Sequence, residues 1–206
     1  TLGVYSVAFS LAMLPTMMLA RVATTMTLPS LSRSRENPGQ FSVRYLLAMS
    51  LVVVLTSAYL CLLVGASGAI MGTLYGAEYR VGGVFLAVLA GMQALRMLRI
   101  VPTLGAMAHG DTQNSMVANL WRTAALPLAL AAAASGAPVV SVALAGVLGE
   151  LLANAASIVR LARRQGVSVR TSLPSIGVGI GLAAGLLIAW ARPLEPWGPW
   201  AQISVA

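Results

Sequence analysis

The amino-acid sequence predicts an all-α protein, a polytopic bundle of about six transmembrane helices. Hydrophobic residues make up 58% of the 206 residues and charged residues 9%, whereas soluble domains carry about 25% charged residues. The mean hydropathy is accordingly high, at +0.85. Apolar stretches recur at the length of about 20 residues that a helix needs to cross a bilayer, and the alternating pattern of barrel strands is absent.

Six apolar runs define the predicted helices of a single domain that covers residues 1–206. The runs are residues 2–31, 45–71, 83–108, 116–134, 138–161 and 176–191. At about 1.5 Å per residue the last run is short for a full crossing, so we expect it to be tilted or interfacial. Prolines lie inside the first, third and fourth runs, where a missing backbone donor favours a bend; they include Pro15, Pro102 and Pro127.

The arginines predict the orientation of the bundle. All of the Lys+Arg count is arginine, and the formal net charge is +8. Seven arginines fall in connections on one side: Arg33, Arg35, Arg44, Arg160, Arg163, Arg164 and Arg170. The other side has Arg80 and Arg192, with Glu78 and Glu195 nearby. By the positive-inside rule the first helix runs from outside to inside. The sixth then ends outside, with Trp190, Trp197 and Trp200 as interfacial anchors. Because this rule accounts for the charge, no nucleic-acid partner is expected.

The residue types that catalysis and metal binding need are scarce. Cys61 and His109 are the sole cysteine and histidine, and no paired carboxylates, nucleophile elbow or phosphate-binding loop occurs. We therefore expect no catalytic residues, no metal, no cofactor and no enzyme activity.

An arginine interrupts the first apolar run. Arg21 shares a helical face with Ser6, Ser10, Met17 and Thr24. A charge at that depth costs roughly 2.5 kcal/mol or more and usually faces a bundle interior or a watery cavity. In one interpretation Arg21 lines a cavity; in the other, its side chain snorkels to the cytoplasmic headgroups.

The third run carries a second basic stripe. Arg96 and Arg99 are three residues apart on one face, with Gln93 and Thr103. Two such cations repel each other unless an anion or an acid lies between them. We predict that Arg96 and Arg99, together with Arg21, bind an anionic group in a lumen, although Arg99 is also near enough to the inside end to snorkel.

The fifth run holds the one acid that lies well inside an apolar run. Gly146, Glu150, Asn154 and Ser157 align on one face. Two roles for Glu150 and Asn154 remain open. Glu150 is either a structural ion-pair partner of Arg21, Arg96 or Arg122, or a carrier of a coupling proton or cation.

Three stretches of sequence resemble a helix-by-helix pattern of bacterial polysaccharide flippases. They are LGVYSVAFSLA from Leu2 with LP at Leu14 and LPSLSR from Leu28, LYGAEYR from Leu74, and LGAMAHGD from Leu104. Leu28 stands where that family usually has an aromatic residue. The resemblance covers about residues 2–165 and is one of hydrophobic patterns with small anchors. It places the chain in the second lobe of a two-lobe transporter, starting at that lobe's second helix, with the N-terminal lobe missing.

The resemblance implies a function. These proteins belong to the multidrug/oligosaccharidyl-lipid/polysaccharide exporter superfamily and flip undecaprenyl-diphosphate-linked oligosaccharide across the bacterial cytoplasmic (inner) membrane by alternating access. Their products are surface polymers such as lipopolysaccharide O-antigen and exopolysaccharide. The implied partners are the lipid-linked oligosaccharide, membrane lipids, the N-terminal lobe, and polysaccharide polymerase and export proteins.

Two other functions stay open at this point. The first is a cation- or proton-coupled exporter of drugs or another lipid within the same superfamily. Three arginines in a lumen argue against cationic drugs as its substrates. The second, of another class, is a membrane scaffold or membrane enzyme.

Overall fold

The computed structural model describes residues 2–137 and 139–191, and this part of the chain is helical without a β-strand. The α-helices are α1 (Leu2–Arg33), α2 (Pro38–Gly65), α3 (Ser67–Tyr75), α4 (Gly83–Ala108), α5 (Gln113–Thr123), α6 (Leu126–Ala134), α7 (Val139–Gln165) and α8 (Leu173–Ala191). Short 3₁₀ helices cover Ala77–Gly82 and Val169–Ser172. The predicted all-α polytopic bundle is confirmed.

Five helical segments within the described residues are long and apolar enough to cross a membrane. They are Gly3–Arg33, Pro38–Gly65, Ala77–Ala108, Gln113–Ala134 and Ser141–Gln165. The protein is therefore a membrane protein. The sixth predicted run, residues 176–191, falls within α8. Trp197, Trp200, Arg192 and Glu195, to which the sequence assigned positions at the outer surface, lie outside the described residues.

Two predicted runs are divided in the structure. The run 45–71 contains the end of α2 and the start of α3, which meet at Ala66. The run 116–134 is divided at Ala124 and Ala125, two residues before Pro127. Because Pro127 has no backbone N–H, the carbonyl of Thr123 has no amide four residues later, and the helix restarts with Pro127 in its first turn.

Helix α4 is the centre of the bundle. One of its faces packs against α1 and α2 through residues that include Leu89, Ala90 and Ala94. Another face, with Leu95 and Leu98, packs against α7 and α8. Most of α4 is buried for this reason.

Helices α1 and α4 run side by side in the same direction. Val4 of α1 lies against Gly82 at the start of α4, and Leu31 belongs to the same buried cluster as Ala108 at the other end. A residue of α1 therefore lies at about the level of the residue 78 positions later in the sequence, as 82 − 4 = 78.

Two polar contacts join the start of α5 and the loop before it to the C-terminal part of α7. Ser157 donates to Asn114 Oδ1 at 2.6 Å, and Asn114 Nδ2 donates to the Ser157 carbonyl at 3.1 Å. Arg160 donates to both carboxylate oxygens of Asp111, from Nε at 3.1 Å and from Nη2 at 3.2 Å. These contacts fix the loop between α4 and α5 to the end of α7.

Candidate functional site: an arginine–glutamate cluster

A cluster of charged side chains lies where α4, α5 and α7 meet. We call Arg96, Arg99, Asn119, Arg122 and Glu150 the arginine–glutamate cluster. Arg96 and Arg99 come from one face of α4, Asn119 and Arg122 from one face of α5, and Glu150 from α7. Within α4 and within α5 the two residues are three positions apart, which puts both side chains on the same face of the helix.

Glu150 is the centre of the cluster. Arg96 Nε donates to Glu150 Oε1 at 2.6 Å, Arg122 Nη1 lies 3.5 Å from the same oxygen, and Arg99 Nη2 lies 3.5 Å from Oε2. Arg99 also donates from Nη1 to Asn119 Oδ1 at 3.2 Å. The carboxylate thus lies between the two arginines whose spacing would otherwise make them repel each other.

The exposure of these side chains shows which of them can meet a ligand. Glu150 is 1% exposed and Arg99 13%, whereas Arg96 is 28% and Arg122 40% exposed. Three guanidinium groups against one carboxylate leave two positive charges. Since the carboxylate is sealed and two arginines are partly open, the accessible side of the cluster is cationic. Such a surface attracts anions, and guanidinium forks match phosphate geometry.

A glycine brings α7 close to α5 beside the cluster. A Cβ atom at Gly149 would lie 2.9 Å from the carbonyl oxygen of Arg122 and 3.1 Å from Cβ of Ala125. No larger residue allows the two backbones to approach this closely. The next residue, Glu150, is thereby within ion-pair distance of Arg122.

Arg21 is separate from this cluster. The register of α1 against α4 puts it at about the level of Arg99, but its side chain is exposed on the outer face of α1. Within residues 2–137 and 139–191 its guanidinium has neither a hydrogen bond nor an ion pair.

The depth of Arg21 can be derived from the length of its helix. The span Gly3–Arg33 has 31 residues, about 46 Å at 1.5 Å per residue, against a hydrocarbon core of about 30 Å. In a centred helix Arg21 is three residues past the midpoint, or about 4.5 Å. The nearest hydrocarbon edge is then about 10 Å away.

Asn154 follows Glu150 by one turn and is buried. Its Oδ1 is buried without a hydrogen-bond partner in the described part of the chain. The structure therefore brings Arg96, Arg99 and Glu150 together and leaves Arg21 and Asn154 outside the cluster. Asn119 was not among the predicted site residues, and Arg122 was named only as one possible ion-pair partner of Glu150, although their spacing on one helix face was a visible signal. Among the described residues no group of three or more His, Cys, Asp and Glu side chains could hold a metal ion.

The first part of the chain is similar to a known protein family. Residues 1–81 match the model of a family described as "Polysaccharide biosynthesis protein". The match covers less than half of the 206 residues. It supports a relation to polysaccharide biosynthesis for the segment from α1 through most of the 3₁₀ helix before α4. This segment contains Arg21 but not the cluster. No curated protein and no solved structure matches the chain.

Proposed function

We propose that this chain is part of a transporter that flips undecaprenyl-diphosphate-linked oligosaccharide across the bacterial cytoplasmic membrane for surface polysaccharide synthesis. It does so by alternating access and not as an enzyme, in partnership with an N-terminal lobe that supplies the other wall of the pathway. Two findings support the proposal: the cationic arginine–glutamate cluster inside a membrane bundle, and the family match of residues 1–81.

The cluster is the observation that carries this proposal. Where water is scarce, a diphosphate needs several cations to balance its charge. The attraction between the diphosphate and these cations is also stronger at low dielectric. Arg96 and Arg122 offer donors at an accessible surface, while Glu150 holds them in position from the buried side. In this mechanism Arg21 supplies a third cation at the same depth on the neighbouring helix.

The test removes single cations in the full-length protein and follows the lipid-linked intermediate. Arg96→Ala and Arg21→Ala are expected to leave the protein in the membrane but to reduce surface polysaccharide at least tenfold. The lipid-linked oligosaccharide then accumulates on the cytoplasmic face. Arg33→Ala is the matched control, because Arg33 is exposed in the last turn of α1 and outside the cluster.

Wild-type amounts of surface polymer in both Arg96→Ala and Arg21→Ala would refute the assignment of these arginines to the substrate pathway. Arg96→Lys separates charge from geometry: partial activity is expected, because lysine keeps the charge but loses the planar donor fork.

A further inference from the structure

A groove opens on the outer face of the bundle between α5 and α7. It has a volume of about 500 Å³. Its apolar lining consists of Val117, Trp121, Leu152, Ala155, Ala156 and Val159, and one end is lined by Arg160, Arg163 and Arg164. Ala155 and Ala156 contribute small side chains to this lining, and Trp121 and Leu152 contribute large, exposed ones.

The three arginines are in different electrostatic situations. Arg160 is held by both carboxylate oxygens of Asp111 and is neutralised by it. Arg163 and Arg164 are exposed, and in the part of the chain that the structure describes neither has a hydrogen bond or an ion pair. The end of the groove therefore presents two uncompensated positive charges next to an apolar surface.

The dimensions of the groove match those of a lipid in one leaflet. From Arg164 to Leu152 there are twelve residues of α7, or about 18 Å, close to the roughly 15 Å thickness of half the hydrocarbon core. The arginines lie at the helix end that the positive-inside rule assigns to the cytoplasm. A headgroup at Arg163 and Arg164 would thus leave its acyl chain lying along Val159, Ala155 and Trp121.

We propose that this groove binds an anionic phospholipid of the cytoplasmic leaflet, with its phosphate on Arg163 and Arg164 and one acyl chain between α5 and α7. Charge complementarity selects this occupant: a zwitterionic lipid would bring its own cation to two unpaired guanidinium groups. Basic pockets between helices on the cytoplasmic side bind anionic headgroups on the same principle. The site is independent of the transport function proposed above.

The experiment uses the purified chain in detergent and phosphatidylglycerol with brominated acyl chains, which quench nearby tryptophan fluorescence. The other three tryptophans are replaced by phenylalanine, so that Trp121 in the groove reports alone. We expect saturable quenching by phosphatidylglycerol. The double variant Arg163→Gln/Arg164→Gln should bind about 30-fold more weakly, since each basic side chain near an anionic headgroup contributes about fivefold.

The matched control is Arg33→Gln/Arg35→Gln, which removes two arginines from the same predicted side of the membrane but outside the groove. It should bind like the wild-type chain. A second variant, Ala155→Phe, places a bulky side chain at an exposed position of the groove without removing charge and should also weaken quenching. Unchanged circular dichroism shows that each variant is folded.

Three outcomes would overturn the proposal. Equal weakening in both double variants would mean general attraction to the basic surface. Equal quenching by brominated phosphatidylcholine would mean that the groove does not select lipids by their charge. Displacement of phosphatidylglycerol by millimolar inorganic phosphate would make this a site for a free anion.

Discussion

At the scale of single residues, Glu150 determines the geometry of the cluster. Its carboxylate is within 3.5 Å of three guanidinium groups and is sealed from solvent. Removing one partner of a buried ion pair strongly destabilises a protein, because the remaining charge stays desolvated without a counter-charge. The stability of the α4–α5–α7 interface therefore depends on the charge of this one side chain.

We expect Glu150→Gln to destabilise the protein by about 3 kcal/mol, at the lower end for a broken buried pair because Arg96 and Arg122 are partly exposed. The amide keeps the shape but leaves three neighbouring cations uncompensated. A lower melting temperature in detergent would show the loss. Glu78→Gln, at an exposed position, is the control and should melt like the wild type; equal melting of all three proteins would contradict this role of Glu150.

Asp111 makes a second, pH-dependent contribution. The hydrogen bonds from Arg160 hold the pKa of Asp111 below its ordinary value, against a smaller opposing effect of burial. A carboxyl group with a lowered folded-state pKa stabilises the fold fully above its unfolded pKa of about 3.9. That contribution is lost as the pH falls through the folded-state value.

The melting temperature of the wild type should therefore exceed that of Asp111→Asn by a constant amount between pH 5 and 7. The difference should shrink below about pH 4, where the carboxyl takes up a proton. Thermal melts in detergent from pH 7 to pH 3 measure it. A difference that grows in acid would show that the sign is wrong.

At the scale of helices, the contact between α5 and α7 depends on Gly149. The 2.9 Å between a Cβ at this position and the Arg122 carbonyl is shorter than real side chains show. Since both groups belong to rigid helix backbones, an added methyl group has to push the helices apart. The start of α5 and the C-terminal part of α7 are held together separately by the Asn114–Ser157 and Asp111–Arg160 contacts.

Gly149→Ala is expected to destabilise the bundle by about 2 kcal/mol, the typical cost of overpacking. It should also lengthen the Arg122–Glu150 contact from 3.5 Å. Thermal melts give the first effect and a structure of the variant the second. Gly177→Ala is the matched control, because a Cβ there meets nothing within 4 Å and the helix gains alanine's better propensity. Equal stability of the two variants would contradict a special role for Gly149.

At the scale of the whole molecule, the distribution of arginines predicts the membrane orientation. Seven of them lie at helix ends or in connections at one end of the bundle, with Arg80 at the other end. Gln40 and Glu78 are exposed at opposite ends, at the start of α2 and just before α4.

Cysteine labelling in intact cells tests this orientation. In a Cys61→Ser background, a membrane-impermeant maleimide should label Glu78→Cys and leave Gln40→Cys unlabelled until the membrane is opened. Cys61→Ser alone is the blank. The reverse pattern would invert the bundle and place the Arg163–Arg164 groove in the outer leaflet.

The sequence predicts the helices well, because apolar runs and charged connections are local properties. The run 83–108 coincides with α4, and the stripe of Arg96 and Arg99 shares a face as its spacing requires. The choice of neighbouring helices is not a local property of the sequence. Periodicity therefore could not predict the central position of α4, or that Glu150 pairs with Arg96 and not with Arg21. The division of the fourth run could be suspected from Pro127 alone.

Arg21, which lies well inside α1, makes the two sides of this bundle unequal. Fatty acyl chains cannot solvate a guanidinium group a few ångströms from the middle of the bilayer, and no neighbour within the described residues does so. The surface that covers this flank in the membrane must therefore bring water, an acid or a bound anion. A second protein body is therefore expected to cover the Arg21 flank.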